Sequence, residues 1–544
     1  MAALTHSARR MGLNYDSSIY FSPGTHTALQ LVHQIFRKYE TFSLPFHAIL
    51  LLVPPAICYT WYIGALATSV VFYRLSPFHP LHRLGYPGPV LCRTSMTWHA
   101  IRTNGGKQME YLRSLHDMYG DIVRIGPNHL SIREASLVGP ILGVSGLPKG
   151  ASRAWNRGLA PAALKGYDHI MSNRVHQLVD VLGQQDGVVV LGKWINYFAY
   201  VFGGGSEQMK EGDTDNIWRL VEKGTEIAFH LGQLPWLGIY LGYVPGASGP
   251  VNIVLEHSRT LTKKRIAEGS STRDLFYYLN NEDLPEEAPP PSRHLLDDGV
   301  LAMVAGSDTT SSAITSIFHC LLAHPGAYAA LQEEVDRFYP RGEDVCNAAH
   351  QREMHYLTAV INETLRLFPP APTSTSRQVP HDARAPVVLG SLVLPPGTHV
   401  YVPPYVLHRD ARNFVFPDAF CPERWLVAAG HMPLASALSL SPPPPPPLSA
   451  PSSSTPPPIA SSLAEAESEF AHAEGAFIPF SHGPMNCAGK ALALRQMRTV
   501  VCTVLQCFRL RPGEGWEKGR YEAEFRDYLV ANRPEVPVVL EARR

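Results

Sequence analysis

Between Phe480 and Gly489 the chain reads Phe-Ser-His-Gly-Pro-Met-Asn-Cys-Ala-Gly. No other stretch limits so narrowly what the whole can fold into. Glycines at 483 and 489 let the backbone turn closely about Cys487. From Ala488 onward the pattern predicts a helix, so the cysteine lies near a helix N-terminus, where the dipole favours a deprotonated sulfur. A thiolate that ligates iron also needs backbone N–H groups aimed at its sulfur to set its basicity. Phe480, Gly483, Cys487 and Gly489 are therefore read as a loop suited to such a thiolate rather than as the surroundings of a structural buried cysteine. The other cysteines, Cys58, Cys92, Cys320, Cys346, Cys421, Cys502 and Cys507, form no C-x-x-C pair. Their spacing suits a reducing compartment rather than a zinc site or a disulfide framework.

Two further segments carry chemistry. From Asp297 to Leu322, Leu301, Val304, Ile314, Ile317 and Leu321 recur at spacings of three and four, which predicts a helix. Its centre, Ala305-Gly306-Ser307-Asp308-Thr309-Thr310, puts glycine, a carboxylate and hydroxyls where a buried helix carries leucine. Thr309 can bond back to the Ala305 carbonyl and bend the ladder. In Asn362-Glu363-Thr364-Leu365-Arg366, the carboxylate and guanidinium share one helix face, and Pro369-Pro370 stops that helix. Alone, such a pair is most often a solvated salt bridge. Pro422-Glu423-Arg424-Trp425 offers a second arginine that could complete a network.

Near the other end, no Asp, Glu, Lys or Arg occurs over the 33 positions from Thr41 to Tyr73. About 20 apolar residues span a bilayer, so this run predicts membrane attachment, with an anchor at about 46–73 that Pro54 and Pro55 would kink or split. The flanking charges, Arg37 and Lys38 against Arg74, His82 and Arg83, do not settle its orientation. Tyr86-Pro87-Gly88-Pro89 is a stiff turn that marks a boundary between residues 1–85 and 86–544. Beyond it, Tyr119 to Ile132 predicts a hairpin turning at Gly126-Pro127-Asn128. The 47 basic and 47 acidic residues cancel, which argues against a nucleic-acid partner.

Taken in order, these motifs resemble the cytochrome P-450 superfamily of haem-thiolate monooxygenases over about Tyr86 to Pro537. His408-Arg409-Asp410 and Phe420-Cys421-Pro422-Glu423-Arg424-Trp425 resemble its meander segment. Arg153-Ala154-Trp155-Asn156-Arg157 and Gly483-Pro484-Met485-Asn486-Cys487 look most like membrane-bound fungal members. The resemblance implies a mainly α fold with small β-sheets, an N-terminal membrane anchor and a haem b whose axial ligand is Cys487. It implies that Asp308 and Thr309 relay protons to dioxygen, and that Glu363, Arg366 and Arg424 form a structural triad. Arg377 and Arg153 or Arg157 would meet the haem propionates, and Pro370 to Ser376 would line the substrate pocket.

The implied reaction inserts one oxygen atom from O2 into a lipophilic small molecule, in fungal secondary or xenobiotic metabolism. Electrons would come from a separate NADPH-dependent reductase, with cytochrome b5 as a further partner, because the chain carries no dinucleotide fingerprint of its own. The implied location is the endoplasmic reticulum membrane, with the catalytic domain facing the cytoplasm. A peroxide-driven or rearranging haem-thiolate enzyme and an inactive haem-binding paralogue are the alternatives; the intact Asp308-Thr309 pair argues against the first. Three departures stand out. Met485 occupies a position where relatives carry Arg or His, so one propionate contact is missing or supplied elsewhere. A Pro/Ser-rich insertion at about 430–470, including Pro442 to Pro447, favours solvated polyproline. The interval from Asp180 to Gly212 is short, which puts a helix near the substrate roof in doubt.

Overall fold

The computed structural model describes residues 44–147, 153–201, 209, 212–213, 217–234, 249–269, 273–347, 349–440 and 470–543. The chain divides into two compact units, Met1–Arg83 and Leu84–Arg544. In the first, one helix, α1 (Leu44–Leu75, 32 residues), runs through Pro54 and Pro55 without being split. Beyond Pro55 its large apolar side chains face outward, with Trp61 77% and Phe72 74% exposed. Among the described residues no single helix is long and apolar enough to cross a membrane.

The second unit is mainly helical with four small sheets among the described residues. Its first hairpin pairs β1 (Ile122–Gly126) with β2 (His129–Ile132), as the turn residues predict, with a register shift between Arg124 and Gly126. Then follow α2 (Arg153–Gly158), β3 (Val188–Val190), α3 (Leu191–Val201), α4 (Ile217–Gln233), α5 (Gly249–Glu268) and α6 (Ser292–Ala323). After these come α7 (His355–Leu367), β4 (Arg377–Gln378), β5 (His399–Tyr401), α8 (Glu423–Ala428) and α9 (Lys490–Cys507). Strands β6 (Phe508–Pro512), β7 (Arg526–Tyr528), β8 (Val530–Asn532) and β9 (Pro537–Ala542) end the chain. The largest sheet has the order β1-β2-β5-β4, with β2 and β5 parallel. Tyr86 donates its hydroxyl to the Val393 carbonyl at 2.8 Å and accepts the Val393 N–H at 3.1 Å, which pins the entry turn to the body of this unit.

Helix α6 is the axis of the core. From Thr310 to Leu322 every side chain is buried, the signature of a helix enclosed on all sides. Ile314, Ile317, Phe318 and Leu321 pack in one cluster with Val360, Ile361 and Leu365 of α7 and Val500, Val501 and Val504 of α9. Each such side chain contributes about 1.5–3 kcal/mol when removed from water. This packing fixes α6, α7 and α9, which carry the three candidate motifs, relative to one another. Helix α7 ends at Leu367, two residues before Pro369, as the proline pair dictates. Pro442 to Pro458 and Gly203 to Gly205 lie outside the described residues; the short interval is nonetheless followed by a full helix, α4.

Candidate active site

The cysteine loop is built from short backbone bonds. Cys487 donates its N–H to the Phe480 carbonyl at 2.8 Å, and Asn486 donates to Gly483 at 3.1 Å. Gly483 has φ +72°, and a Cβ there would collide with the Leu142 carbonyl oxygen, so only glycine lets the loop lie against the preceding segment. The helix begins at Lys490 rather than Ala488. Lys490 bonds to the Cys487 carbonyl at 3.2 Å, which makes residues 487–490 a tight turn, and the first full helical bond is Ala493 to Gly489 at 2.9 Å. Cys487 therefore precedes the helix N-terminus by one turn. It is the one exposed cysteine of the eight. Burial pushes the thiol of Cys421 up to about 11 and those of Cys320 and Cys502 further up.

On α6 the Thr309 hydroxyl donates to the Ala305 carbonyl at 2.7 Å, the bond the sequence predicts. Its proton is thus committed, and the oxygen presents lone pairs to an incoming donor. Ala305 and Gly306 are exposed, although Met303 and Ser307 beside them are buried. A Cβ at Gly306 would meet no atom within 4 Å, so packing does not require this glycine; it borders open space. Asp308 is buried, and burial raises its pKa against the opposing pull of Arg533. Arg533 Nη1 lies 3.4 Å from Asp308 Oδ1. Sequence reasoning missed Arg533, which stands 225 positions away in a segment with no motif.

Arg377 is 2% exposed, and its Nη1 has no hydrogen-bond partner, while Nη2 donates to the Met485 carbonyl at 3.3 Å. A buried, half-satisfied guanidinium is costly unless an anion completes it. This orphaned donor, the open space at Gly306 and the exposed cysteine together fit a haem with its propionates toward Arg377. The Met485 position supports the same arginine through its backbone. Arg157 does not fit that role: it donates to Asp283 at 2.9 Å, Asn281 at 2.7 Å and the Tyr278 carbonyl at 3.0 Å. Its charge is already compensated, so it braces α2 against the segment ahead of α6. Arg153 stands at the start of α2, and its side chain lies outside the described residues.

Glu363 and Arg366 are both fully buried, contrary to the usual fate of an i, i+3 pair. Arg366 grips the carboxylate through Nε at 2.9 Å and Nη2 at 2.8 Å, Arg424 adds Nε at 3.1 Å, and the Cys421 N–H adds 2.9 Å. Trp425, read only as part of a resembling phrase, donates its indole N–H at 3.0 Å. The arginines spend their remaining donors on the carbonyls of His408, Pro417, Ala419, Val415 and Phe416. Burial acts to raise the Glu363 pKa, but the two guanidinium charges and the donors outweigh it and hold the group at about 2. A second buried link was not legible: Thr373, in the expected pocket-lining stretch, donates its hydroxyl to Asp527 of β7. Burial pushes that carboxyl up to about 6.

A family model for cytochrome P450 matches residues 251–534, a range that includes every described motif of the site except α2. The chain is 27% identical over 512 residues to the cytochrome P450 monooxygenase nodW of Hypoxylon pulicicidum, covering 89% of this chain and 86% of that protein. It is 28% identical over 519 residues to the cytochrome P450 monooxygenase notG' of Aspergillus versicolor, with the same coverage. It is 25% identical over 516 residues to tryprostatin B 6-hydroxylase of Aspergillus fumigatus, covering 89% and 84%.

Proposed function

Since the chain belongs to the cytochrome P450 family, we propose that Cys487 holds its haem, that Asp308 and Thr309 handle protons beside it, and that the substrate is a lipophilic product of fungal secondary metabolism. The enzyme is a haem-dependent monooxygenase that draws electrons from a separate reductase and uses O2. The observation that carries the reading is an exposed cysteine in the loop ahead of α9, joined through the Met485 carbonyl to the orphaned Arg377 of β4, together with a glycine of α6 that faces open space. When bound, the haem supplies the activation of dioxygen, with electron donation from the thiolate. The work of the protein is to bind, orient and protonate. Arg377 Nη1 offers a charge-assisted donor to a carboxylate. Thr309 Oγ1, its own proton held by the Ala305 carbonyl, offers its lone pairs to a donor, and Asp308 is the buried acid from which a proton can come. A substrate resembling tryprostatin B is supported by the name of the A. fumigatus relative.

Thr309→Ala tests the reading. Iron ligation stays intact, so the reduced protein with carbon monoxide keeps its thiolate-type spectrum. Loss of a positioned proton-handling group costs roughly 10²–10⁴ in rate, part of which Asp308 and water make up. Reduced oxygen then escapes, and the peroxide released per NADPH consumed rises in a system reconstituted with reductase. An unchanged ratio would shift weight to a peroxide-driven enzyme.

The proposal extends to location. The outward apolar side chains of α1 beyond Pro55 and the charge-free run from Thr41 to Tyr73 support a membrane anchor; the endoplasmic reticulum membrane as its site, a cytoplasmic catalytic domain and cytochrome b5 as an accessory donor are proposed on the family resemblance alone. Removal of residues 1–83 is expected to release the protein from the alkali-resistant membrane fraction. Retention there would refute the anchor.

A further inference from the structure

One buried carboxylate holds the turns of two separate segments. Asp527 of β7 is 0% exposed, and among the described residues no cation offsets its burial. Its oxygens are taken by two uncharged donors instead. Thr373 donates its hydroxyl to Oδ2, and Oδ1 accepts the Leu529 N–H at 3.1 Å. Both donors belong to left-handed turns: Leu529 has φ +74°, and Ser374, next to Thr373, has φ +62°. A side chain with a Cβ is strained in that region, and the strain persists only where the surroundings over-determine the backbone. Two of the five non-glycine residues with positive φ among the described residues thus depend on a single side chain.

The main chain joins the same two segments. Tyr528 pairs with Val530, which leaves Leu529 alone at the tip of the β7-β8 hairpin. On one edge of that hairpin Asp527 donates its N–H to the Gly106 carbonyl at 2.8 Å, and on the other Ala531 donates to Pro370 at 2.8 Å. Strand β8 packs on α6, and Arg533, just beyond it, reaches Asp308. The hairpin and the stretch from Pro370 to Ser376 therefore stand together beside the part of α6 where Ala305 and Gly306 are exposed. Leu529 is 45% exposed and Thr375 is exposed as well, although Asp527 and Thr373 beneath them are buried.

We propose that Asp527 is a positioning residue that clasps the Leu529 tip to the Thr373–Thr375 turn, so that the two form one rigid wall and set which bulky ligands fit beside Gly306. The inference rests on the reading that Pro370 to Ser376 lines the substrate pocket. A carboxylate suits this task because it accepts from both sides and donates to neither; an amide would turn its NH2 group toward one of the two donors. Removing one donor leaves a buried oxygen unsatisfied, and the strained residue beside that donor is free to relax to ordinary backbone angles. The wall then loosens as a unit.

The test uses the full-length haem protein with Thr373→Val, Thr373→Ser and Asp527→Ala, each first checked for its carbon monoxide spectrum. Binding of imidazole and of the bulkier phenylimidazole to the iron is followed by difference spectra, and hydrogen exchange is followed at the Leu529 amide. Thr373→Val keeps the side-chain shape and removes only the donor. In that variant the dissociation constant for phenylimidazole is expected to rise about tenfold, the worth of one hydrogen bond to a charged group, while that for imidazole stays within about twofold. The Leu529 amide exchanges about tenfold faster. Thr373→Ser restores the hydroxyl and returns both measurements to wild type. Asp527→Ala shows the same pattern enlarged; if it does not fold, Thr373→Val carries the test. Wild-type exchange and wild-type phenylimidazole binding in Thr373→Val would overturn the inference, as would equal weakening of both probes, which marks general damage to the haem site. Faster exchange with unchanged phenylimidazole binding would instead overturn the pocket-lining reading on which the role in ligand fit depends.

Discussion

Cys487→Ala yields a protein whose reduced, carbon monoxide-bound form has lost the thiolate-type spectrum completely. Substitution by alanine leaves the loop intact, because its turns are held by main-chain bonds: Cys487 to Phe480, Asn486 to Gly483, Lys490 to Cys487. What disappears is the sulfur alone. No neighbour can replace it. Cys320 and Cys502 are buried and kept as thiols by desolvation, and Cys421 is held at about 11 beside the Glu363 network. An alanine at this position gives the metal neither charge nor lone pair, so the effect is all or none rather than graded. The check is the difference spectrum of the purified variant, with total haem measured in parallel. Persistence of the thiolate band would place the ligand elsewhere and remove the basis of the functional reading.

Glu363→Gln is expected to destroy the folded haem protein rather than to slow it. Breaking a buried ion pair from one side costs about 3–5 kcal/mol, because the partner charge stays buried without compensation; here two guanidinium groups, Arg366 and Arg424, are stranded at once. A domain of this kind has only about 5–15 kcal/mol to lose. The pH dependence points the same way. The Glu363 carboxyl is held at about 2, below its ordinary 4.5, so its contribution is fully present above pH 4.5 and is lost as pH falls toward 2. The depression corresponds to stabilisation on the order of 3 kcal/mol at neutral pH. Urea unfolding near pH 7 is therefore expected to show a sharply lower midpoint for the variant, and expression at 37 °C a near-complete loss of haem incorporation. A wild-type midpoint would mean that the network is dispensable.

The two residues differ in how they could be found. Cys487 is legible because its signal is local: ten consecutive residues contain the glycines, the aromatic residue and the sulfur, and short-range turns use all of them. Thr309 is legible for the same reason, since its partner Ala305 is one helical turn away. The Glu363 and Arg366 spacing is equally visible, but spacing cannot say whether a pair lies in water or in the core. Its full burial comes from α7 packing on α6 and α8. The expected helix at Ala488 began two residues later because the turn at Cys487 competes with the helix for the same carbonyl. Arg157 reads as a ligand by its motif and turns out to be a brace, because Asn281 and Asp283 come beside it from more than a hundred positions away.

By itself, the sequence determined the kinds of element and the identity of the chemically able residues. The hairpin at Gly126 to Asn128, the stop of α7 before Pro369, the polar break in α6 and the cysteine loop all depend on neighbours within about seven positions, where covalent geometry and helical period decide. Tertiary structure alone decided which charges meet. Arg533 reaches Asp308 across 225 positions, Thr373 reaches Asp527 across 154, and Tyr86 reaches Val393 across 307. The reason is physical. A charge or hydroxyl has no preferred partner along the chain, and its partner is whichever group the hydrophobic core leaves beside it once water has been excluded. The sequence names the acid and the proposed metal ligand; the packing of α3 and α6 around Arg533 determines how the acid is held.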